Sequence, residues 1–266
     1  MDLSSSPTSC QAPVPRGGTE RALAVLKELA RHPQGTSLET LAQQLRTPKS
    51  SVHRALAALV RAGLATHPRP DRYVLGSEFV RLAYAHAEAR QESRLLEPCL
   101  QELTETYGET AHYAELEGPE VVYRAKVTPA HQNVQMTSTI GGRNPAFCTG
   151  IGKALLAHEL AASRDQDALV KQYGPLVPRT PKTLADPKRF IADLRATLRR
   201  GYALDDEESE LGINCIAFAV FLDSPTVPSG AVSVAALKHR LALDDLERNA
   251  TAIREIIERH LGRVVH

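Results

Sequence analysis

Apolar residues recur at helical spacing from Thr19 to His32, where Leu23, Val25, Leu26, Leu29 and Ala30 share a face before His32-Pro33 and Gly35 break the pattern. The spacing predicts a first helix there. A second, shorter stripe of Leu38, Leu41 and Leu45 follows, and Ser37 stands where a cap would satisfy the open N–H groups of a new helix. After a break of only about two residues, the length found in helix-turn-helix units, a third helix is predicted over 47–63. Thr47 would cap it, Pro48 fits its first turn and Gly63 supplies the left-handed stop. Val52, Leu56, Leu59 and Val60 form its apolar stripe, whereas Lys49, Ser50, Ser51, His53 and Arg54 crowd its first two turns. Two short alternating runs, Leu64 to His67 and Arg72 to Leu75, flank the turn-forming Pro68-Arg69-Pro70-Asp71 and predict a hairpin. Three helices with a basic third, followed by a hairpin, describe a winged helix-turn-helix.

Charge sharpens this picture. The chain of 266 residues has a net charge of only +1, which by itself argues for no nucleic-acid partner. Its distribution does: Arg46, Lys49, Arg54, Arg61, Arg69 and Arg72 stand against one acid, Asp71, between Arg46 and Arg72. A basic patch on a near-neutral protein is the footprint of a DNA-contacting module joined to a part with no such need. Alone, the third helix also reads as an ordinary amphipathic surface helix; the turn before it and the hairpin after it decide for DNA. On that reading Ser37, Thr47, Lys49, Ser50, Ser51, His53 and Arg54 face the bases and phosphates of a double-stranded operator, and Arg69 and Arg72 in the wing meet phosphate.

Past Gly76 the pattern changes twice. Ser77 to Glu92 is a charged, alanine-rich helical run, and a further helix from Leu95 to Tyr107 ends at Gly108. Strands are then predicted at Thr110 to Leu116, Val121 to Val127 and Val134 to Thr139, and helices at Gly152 to Glu159, Asp165 to Gln172 and Lys188 to Arg200. Two more strands, Asn214 to Leu222 and Gly230 to Leu237, precede a last amphipathic helix from Asp244 to Leu261. Strands in antiparallel runs with helices packed on them make an α+β domain.

Composition excludes several classes. With 42% hydrophobic and 24% charged residues the chain is of ordinary globular make-up. Cys10, Cys99, Cys148 and Cys215 are far apart, which argues against a zinc site or a disulfide scaffold and predicts no metal and no cofactor. No apolar run is long enough for a membrane span, and the Ser-, Pro- and Gly-rich residues 1–18 read as a disordered lead-in rather than a signal peptide. A cytoplasmic protein is expected.

Residues 19–76 resemble the DNA-binding half of the IclR family of bacterial transcriptional regulators. The likeness is carried by the first helix, Leu38 to Leu45, Pro48-Lys49-Ser50-Ser51-Val52-His53-Arg54, Ala62-Gly63-Leu64 and Arg72-Tyr73-Val74-Leu75-Gly76, and it continues to the C-terminus. The resemblance implies four parts: the tail 1–18, a winged helix-turn-helix over 19–76, a linker helix over 77–92, and a GAF-like effector-binding domain over 93–266. It also implies a homodimer, or a dimer of dimers, with the linker helix helping to pair protomers, and a palindromic DNA site suits such a dimer.

Two stretches of the second half carry the chemistry. Gly141-Gly142-Arg143-Asn144-Pro145-Ala146-Phe147-Cys148-Thr149-Gly150-Ile151-Gly152-Lys153 puts glycines ahead of a helix, so backbone N–H groups can face an anion, with Arg143 or Lys153 adding charge. Read more plainly, it is a tight loop whose glycines permit positive φ. The stretch resembles a family motif in which a histidine stands where this chain has Phe147. The second, Asp205-Asp206-Glu207-Glu208 followed by Gly212 and Cys215, would otherwise be a solvated turn and a buried thiol. By the resemblance, Asp205, Ile213 and Cys215 line an effector pocket with Met136, Gly150, Ile151 and Ser233. Ala235-Ala236-Leu237 replaces the usual Ser-Gly-Pro, which removes one pocket hydroxyl.

The leading expectation is therefore a regulator, not an enzyme, whose operator binding responds to a small-molecule, carboxylate effector. A cysteine-dependent enzyme using Cys148 or Cys215 lacks a marked base, and the acids near Cys215 would raise its thiol pKa rather than lower it. A DNA-binding protein without a ligand would leave the second half idle.

Overall fold

A computed structural model describes residues 17–89, 92–130, 136–163 and 165–262, and the chain divides into two units, Met1–Arg90 and Gln91–His266. Most of the expected lead-in, residues 1–16, lies outside the described residues.

The first unit follows its apolar stripes. Helices α1 (Gly18–Ala30), α2 (Leu38–Gln44) and α3 (Lys49–Arg61) meet through Val25, Leu29, Leu41, Val52, Leu56 and Leu59, all buried. Ser37 caps α2, its Oγ accepting the Thr40 N–H at 3.1 Å. At α3 the cap differs from expectation. Pro48 precedes the first turn, while Thr47 is buried and donates its hydroxyl to the Leu45 carbonyl at 2.9 Å. The cause is the preceding Arg46, whose left-handed φ of 47° folds the turn back so that the Thr47 N–H reaches the Ala42 carbonyl at 3.0 Å. Strands β1 (Ala65–Arg69) and β2 (Arg72–Leu75) pair antiparallel around Pro70-Asp71, so the first strand runs two residues into the predicted turn. Thr36 and Tyr73 exchange both backbone hydrogen bonds, at 3.0 and 2.8 Å, which ties this wing to the start of α2. Helix α4 (Ser77–Ala89) ends the unit and leaves Phe79, Val80, Leu82 and Tyr84 exposed.

In the second unit, α5 (Glu92–Tyr107) leads into β3 (Thr110–Glu117) and β4 (Glu120–Val127). The predicted strand over Val134 to Thr139 is not formed where it is described. Val134 and Gln135 lie outside the described residues, and Met136 to Thr139 is irregular because its carbonyls are taken elsewhere: Ser138 O accepts from Lys126 Nζ at 2.6 Å and Thr139 O from the Gly142 N–H at 2.8 Å. The strand paired with β4 is instead β5 (Arg143–Pro145). A 3-10 turn, Ala146–Cys148, leads to α6 (Gly150–Ala162), followed by α7 (Gln166–Gln172) and α8 (Pro187–Arg200), whose caps are Thr149, Asp165 and Asp186. Strand β6 (Ala203–Asp206) was not predicted. Then come β7 (Ile213–Val220) and β8 (Gly230–Leu237). The single last helix is two, α9 (Leu243–Arg248) and α10 (Ala250–Leu261), broken where the Asn249 side chain donates to the Asp245 carbonyl at 2.8 Å and competes with the helix ladder.

The six strands pair antiparallel in the order β5-β4-β3-β8-β7-β6. Alternation sends Tyr113, Ile216, Phe218, Val232 and Val234 to one face, against Leu100 of α5 and Ile253 of α10. Ala114, Cys215, Ala217, Ala231 and Ala235 go to the other, against Ile151 and Leu155 of α6 and Phe190 and Leu194 of α8. Three layers result, and the alanines on the second face leave room for a cavity.

Candidate functional site

Two surfaces gather the residues singled out in the sequence. On the first unit, Lys49, Ser50, His53 and Arg54 are exposed on the opening turns of α3, Ser51 and Ser37 are half-buried, and Thr47 is buried. Lys49 Nζ meets Glu39 Oε1 at 2.7 Å with both side chains more than half exposed. Arg54 Nη2 lies 3.4 Å from Ser51 Oγ. Such contacts are exchangeable: in high dielectric they hold the side chains loosely, ready for phosphate or a base edge. On the wing Arg69 and Arg72 are exposed, and Arg72 Nη1 donates to the Gln34 carbonyl at 3.2 Å. Thr47, by contrast, is committed to the turn and presents no side chain outward.

On the second unit a cleft opens on the α6 face of the sheet, with an empty volume of about 470 Å3 that includes its open mouth. Met136, Gly150, Ile151, Asp205, Ile213, Cys215 and Ser233 all line it. Its geometry starts from α6. Thr149 Oγ1 accepts the Gly152 N–H at 3.1 Å, and the Lys153 N–H makes the first helical bond to the Thr149 carbonyl at 2.9 Å. The first-turn N–H groups left over are those of Gly150 and Ile151, the two helix residues on the cleft. Gly150 and Gly152 serve close approach rather than positive φ, whereas Gly141 ahead of them takes a left-handed φ of 76°. A Cβ on Gly150 would lie 2.8 Å from Cys215 Sγ, and one on Gly152 would lie 2.0 Å from the Ala146 carbonyl oxygen.

Asp205, from β6, supplies the cleft's buried carboxyl, while the half-exposed Glu210 also lines it. Asp205 Oδ1 accepts the Glu208 N–H at 2.7 Å and the Ser209 N–H at 3.3 Å. Burial pushes the Asp205 pKa up to about 7, against the opposing pull of Lys153. The acidic run is thus not a solvated turn: Asp205 and Asp206 lie within a strand, and Glu208 is buried against Lys153.

Two expected cations are not at the cleft. Arg143 sits on the exposed edge strand β5, ion-paired with Glu117 and, at 3.4 Å, with Glu120, because strand alternation turns it away from the α6 face. Lys153 is fully buried beneath, held by Glu208 and by Asp193 Oδ2 at 2.9 Å. Phe147 packs edge-on against Phe190 at 6.4 Å in the core, so that departure from the family pattern does not touch the cleft, whereas Ala235 lines it.

Sequence reasoning missed much of the opposite wall: His112, Tyr123, Ser138 and Asn144. His112 and Ser233 are cross-strand partners on β3 and β8. Burial, with Lys126 nearby, pushes the His112 pKa down to about 3, and its Nε2 lies 2.8 Å from Ser138 Oγ, so this wall is neutral and polar. For one of them a signal was available: His112 is a polar residue inside a run that otherwise reads as a strand. The cysteines carry no nucleophile. Burial, reinforced by Asp205, pushes the thiols of Cys148 and Cys215 up to about 12, the reverse of an activated thiolate.

A helix-turn-helix unit with a wing, joined in one chain to a sheet unit holding a polar cleft, defines a DNA-binding transcriptional regulator with a sensing domain. The chain belongs to the IclR family: residues 18–69 match the IclR helix-turn-helix domain, and residues 89–259 match the family described as "Bacterial transcriptional regulator IclR C-terminal". It is 34% identical over 210 residues to the HTH-type transcriptional regulator BhcR of Paracoccus denitrificans, covering 76% of this chain and 71% of that one. The crystal structure of the Thermotoga maritima IclR superposes with a TM-score of 0.75 at 25% identity, over 92% of this chain and 98% of that one. The inducer-binding domain of PobR from Acinetobacter, a double mutant in complex with 3-hydroxybenzoic acid, matches at 25% identity and a TM-score of 0.56, over 65% of this chain and 98% of that one. Regulators of this family bind DNA operators and small-molecule effectors. Among the described residues no helix is long and apolar enough to cross a membrane.

Proposed function

We propose that the cleft is the effector site of this regulator and that its ligand is a small carboxylic acid, which changes how two winged units are spaced on a palindromic operator. The observation that carries this reading is the pair of spare N–H groups at Gly150 and Ile151, at the positive end of α6 and on the wall of the cleft. The 3-hydroxybenzoic acid held by the PobR domain supports the same chemistry. Asp205, Cys215, Ser233, Ile213 and Met136 form the remaining contacts on this reading. Lys49, Ser50, Ser51, His53 and Arg54 read the major groove, while Arg69 and Arg72 grip the backbone.

A homodimer completes the proposal. None of the exposed apolar residues of α4 joins the core of its own unit, so Phe79, Val80, Leu82 and Tyr84 are available to a second copy. The protein then works in the cytoplasm, where operator and metabolite meet. Thermal unfolding against a panel of small carboxylic acids tests the effector site. A ligand at 100 times its Kd adds about 2.7 kcal/mol of stability, and that shift should vanish when Ser233→Phe fills the cleft; a shift that persists in the filled variant would put the ligand elsewhere.

A further inference from the structure

Tyr123 enters the cleft wall from β4 with its ring almost fully enclosed. Its hydroxyl oxygen lies 3.3 Å from Asn144 Nδ2 on β5, and Asn144 Oδ1 lies 2.7 Å from Arg179 Nη1. This chain has only one consistent direction. A guanidinium has donors and no acceptor, so Asn144 must turn its oxygen to Arg179. The amide nitrogen that then faces Tyr123 also has only donors, so the phenolic oxygen must accept. The phenolic hydrogen is thereby turned off Asn144, and among the described residues no acceptor takes it. His112, whose ring centroid is 5.3 Å from that of Tyr123, has its Nε2 engaged with Ser138 Oγ. A buried O–H without an acceptor is costly, and it takes one from whatever fills the cavity.

We propose that Tyr123 is the specificity-determining donor of the cleft, aimed by Arg179 through Asn144, and that the ligand is a carboxylic acid bearing a second, uncharged oxygen acceptor. This rests on the preceding reading of the cleft, in which the start of α6 takes the carboxylate; Tyr123, which lines the same cleft from β4, reads the remainder of the molecule. An acid that lacks the acceptor leaves the buried phenolic hydrogen of Tyr123 unpaired and binds more weakly for that reason.

Matched pairs of acids test this by calorimetric titration of the full-length protein: pyruvate against propionate, and 4-oxopentanoate against pentanoate. In at least one pair the oxo acid should bind about tenfold or more tightly than its plain partner, the loss expected when a buried donor goes unpaired. Tyr123→Phe should bring that ratio close to one by weakening the oxo acid alone. Asn144→Asp keeps the contact to Arg179 but offers Tyr123 an acceptor, so the hydrogen turns away from the cleft and the ratio collapses with the tyrosine still in place. A ratio that survives both variants, or a wild type that binds both acids of each pair equally, overturns the role of Tyr123 and leaves the carboxylate site standing. Failure of all four acids to bind the wild type removes the carboxylate site itself, and this proposal with it.

Discussion

The face of α3 and the cleft of the sheet unit are built in opposite ways. The first is contiguous: Lys49, Ser50, His53 and Arg54 lie within six residues of sequence, exposed, and Lys49 and Arg54 are held by contacts that water can replace. The second is assembled from all six strands β3 to β8, residues 136–138 and 209–210 and the start of α6, and its histidine and aspartate are buried. The difference teaches where function and stability are separable. Substitutions on α3 should change DNA affinity and leave the fold alone, whereas those around the cleft should disturb both together, because each group there also holds the wall in place.

Lys153 puts the heaviest strain on that comparison. It lies under the cleft, not in it, and its ammonium is the shared partner of Glu208 and Asp193. Lys153→Met leaves the buried Glu208 of the acidic loop without its cation and Asp193 of α8 with only Arg200, at 3.6 Å. Removing one partner of a buried pair costs about 3–5 kcal/mol, and urea unfolding at neutral pH should show a loss of that order. Acid should restore part of it by protonating the orphaned carboxyl. A loss below about 1 kcal/mol, the worth of an exposed pair, would mean the network is no more than surface electrostatics.

Asp205 comes next, and its effect depends on pH. Burial raises its carboxyl from 3.8 in the unfolded chain to about 7 in the fold. The folded state therefore binds the proton more tightly, so the contribution of this group is fully present below about pH 4, falls as pH rises, and is lost above about pH 7. Asp205→Asn keeps an Oδ1 for the Glu208 and Ser209 N–H groups and removes the charge. Relative to wild type it should gain stability steadily between those limits, by up to about 4 kcal/mol. A carboxylate ligand would meet the same charge, so its affinity should weaken as pH climbs toward 7 in the wild type and stay level in the variant. A flat difference in unfolding free energy across that window would show Asp205 to be solvated.

Legibility in sequence follows the same divide. Helices α1 to α3 and the wing are local objects, with stripe, cap and stop inside one stretch of chain, and their residues could be read off directly. Even there the cap of α3 was misplaced, because the left-handed Arg46 carries no residue-type signal of the kind glycine gives. In the sheet unit, β8 was read to the residue, since eight buried small and β-branched positions bounded by Gly230 admit little else. Strand β6 was hidden behind its acids. A carboxylate facing inward is expected only once the Glu208 and Ser209 N–H groups and Lys153 are known to surround it, and those partners are fixed by tertiary packing. Met136, Asp205, Ile213, Cys215 and Ser233 were reached through family resemblance, whereas Tyr123 had no motif to mark it and Asn144, though inside the glycine-rich stretch, carried no role there; both became visible only when the strands aligned.

On the contiguous face the expected effect is smaller and of a different kind. Arg54→Ala should lose about 1–3 kcal/mol of affinity for the specific operator and relax preference at one base position, whereas Lys49→Ala should weaken all sequences alike and lower the salt slope by about one. Thermal midpoints should not move. Fluorescence anisotropy at several salt concentrations separates the two, and equal affinity of the Arg54 variant and wild type would take the base-reading role away from this part of α3.

Arg143 carries the smallest expectation and sharpens the comparison most cheaply. The glycine-rich stretch around it invites the reading that it supplies charge to an anion. Its place on β5, against Glu117 and Glu120 and outside the cleft, says otherwise. Exposed ion pairs of this kind contribute little and are screened by salt. Arg143→Ala should therefore leave ligand affinity and DNA affinity at wild-type values, and the unfolding midpoint should move far less than for Lys153→Met or Asp205→Asn. If instead the titration shows ligand binding weakened in proportion to ionic strength, the guanidinium acts on the cleft through its field. The exposed edge of the sheet would then belong to the enclosed site, and the division between the two kinds of surface would have to be drawn inside the second unit rather than between the units.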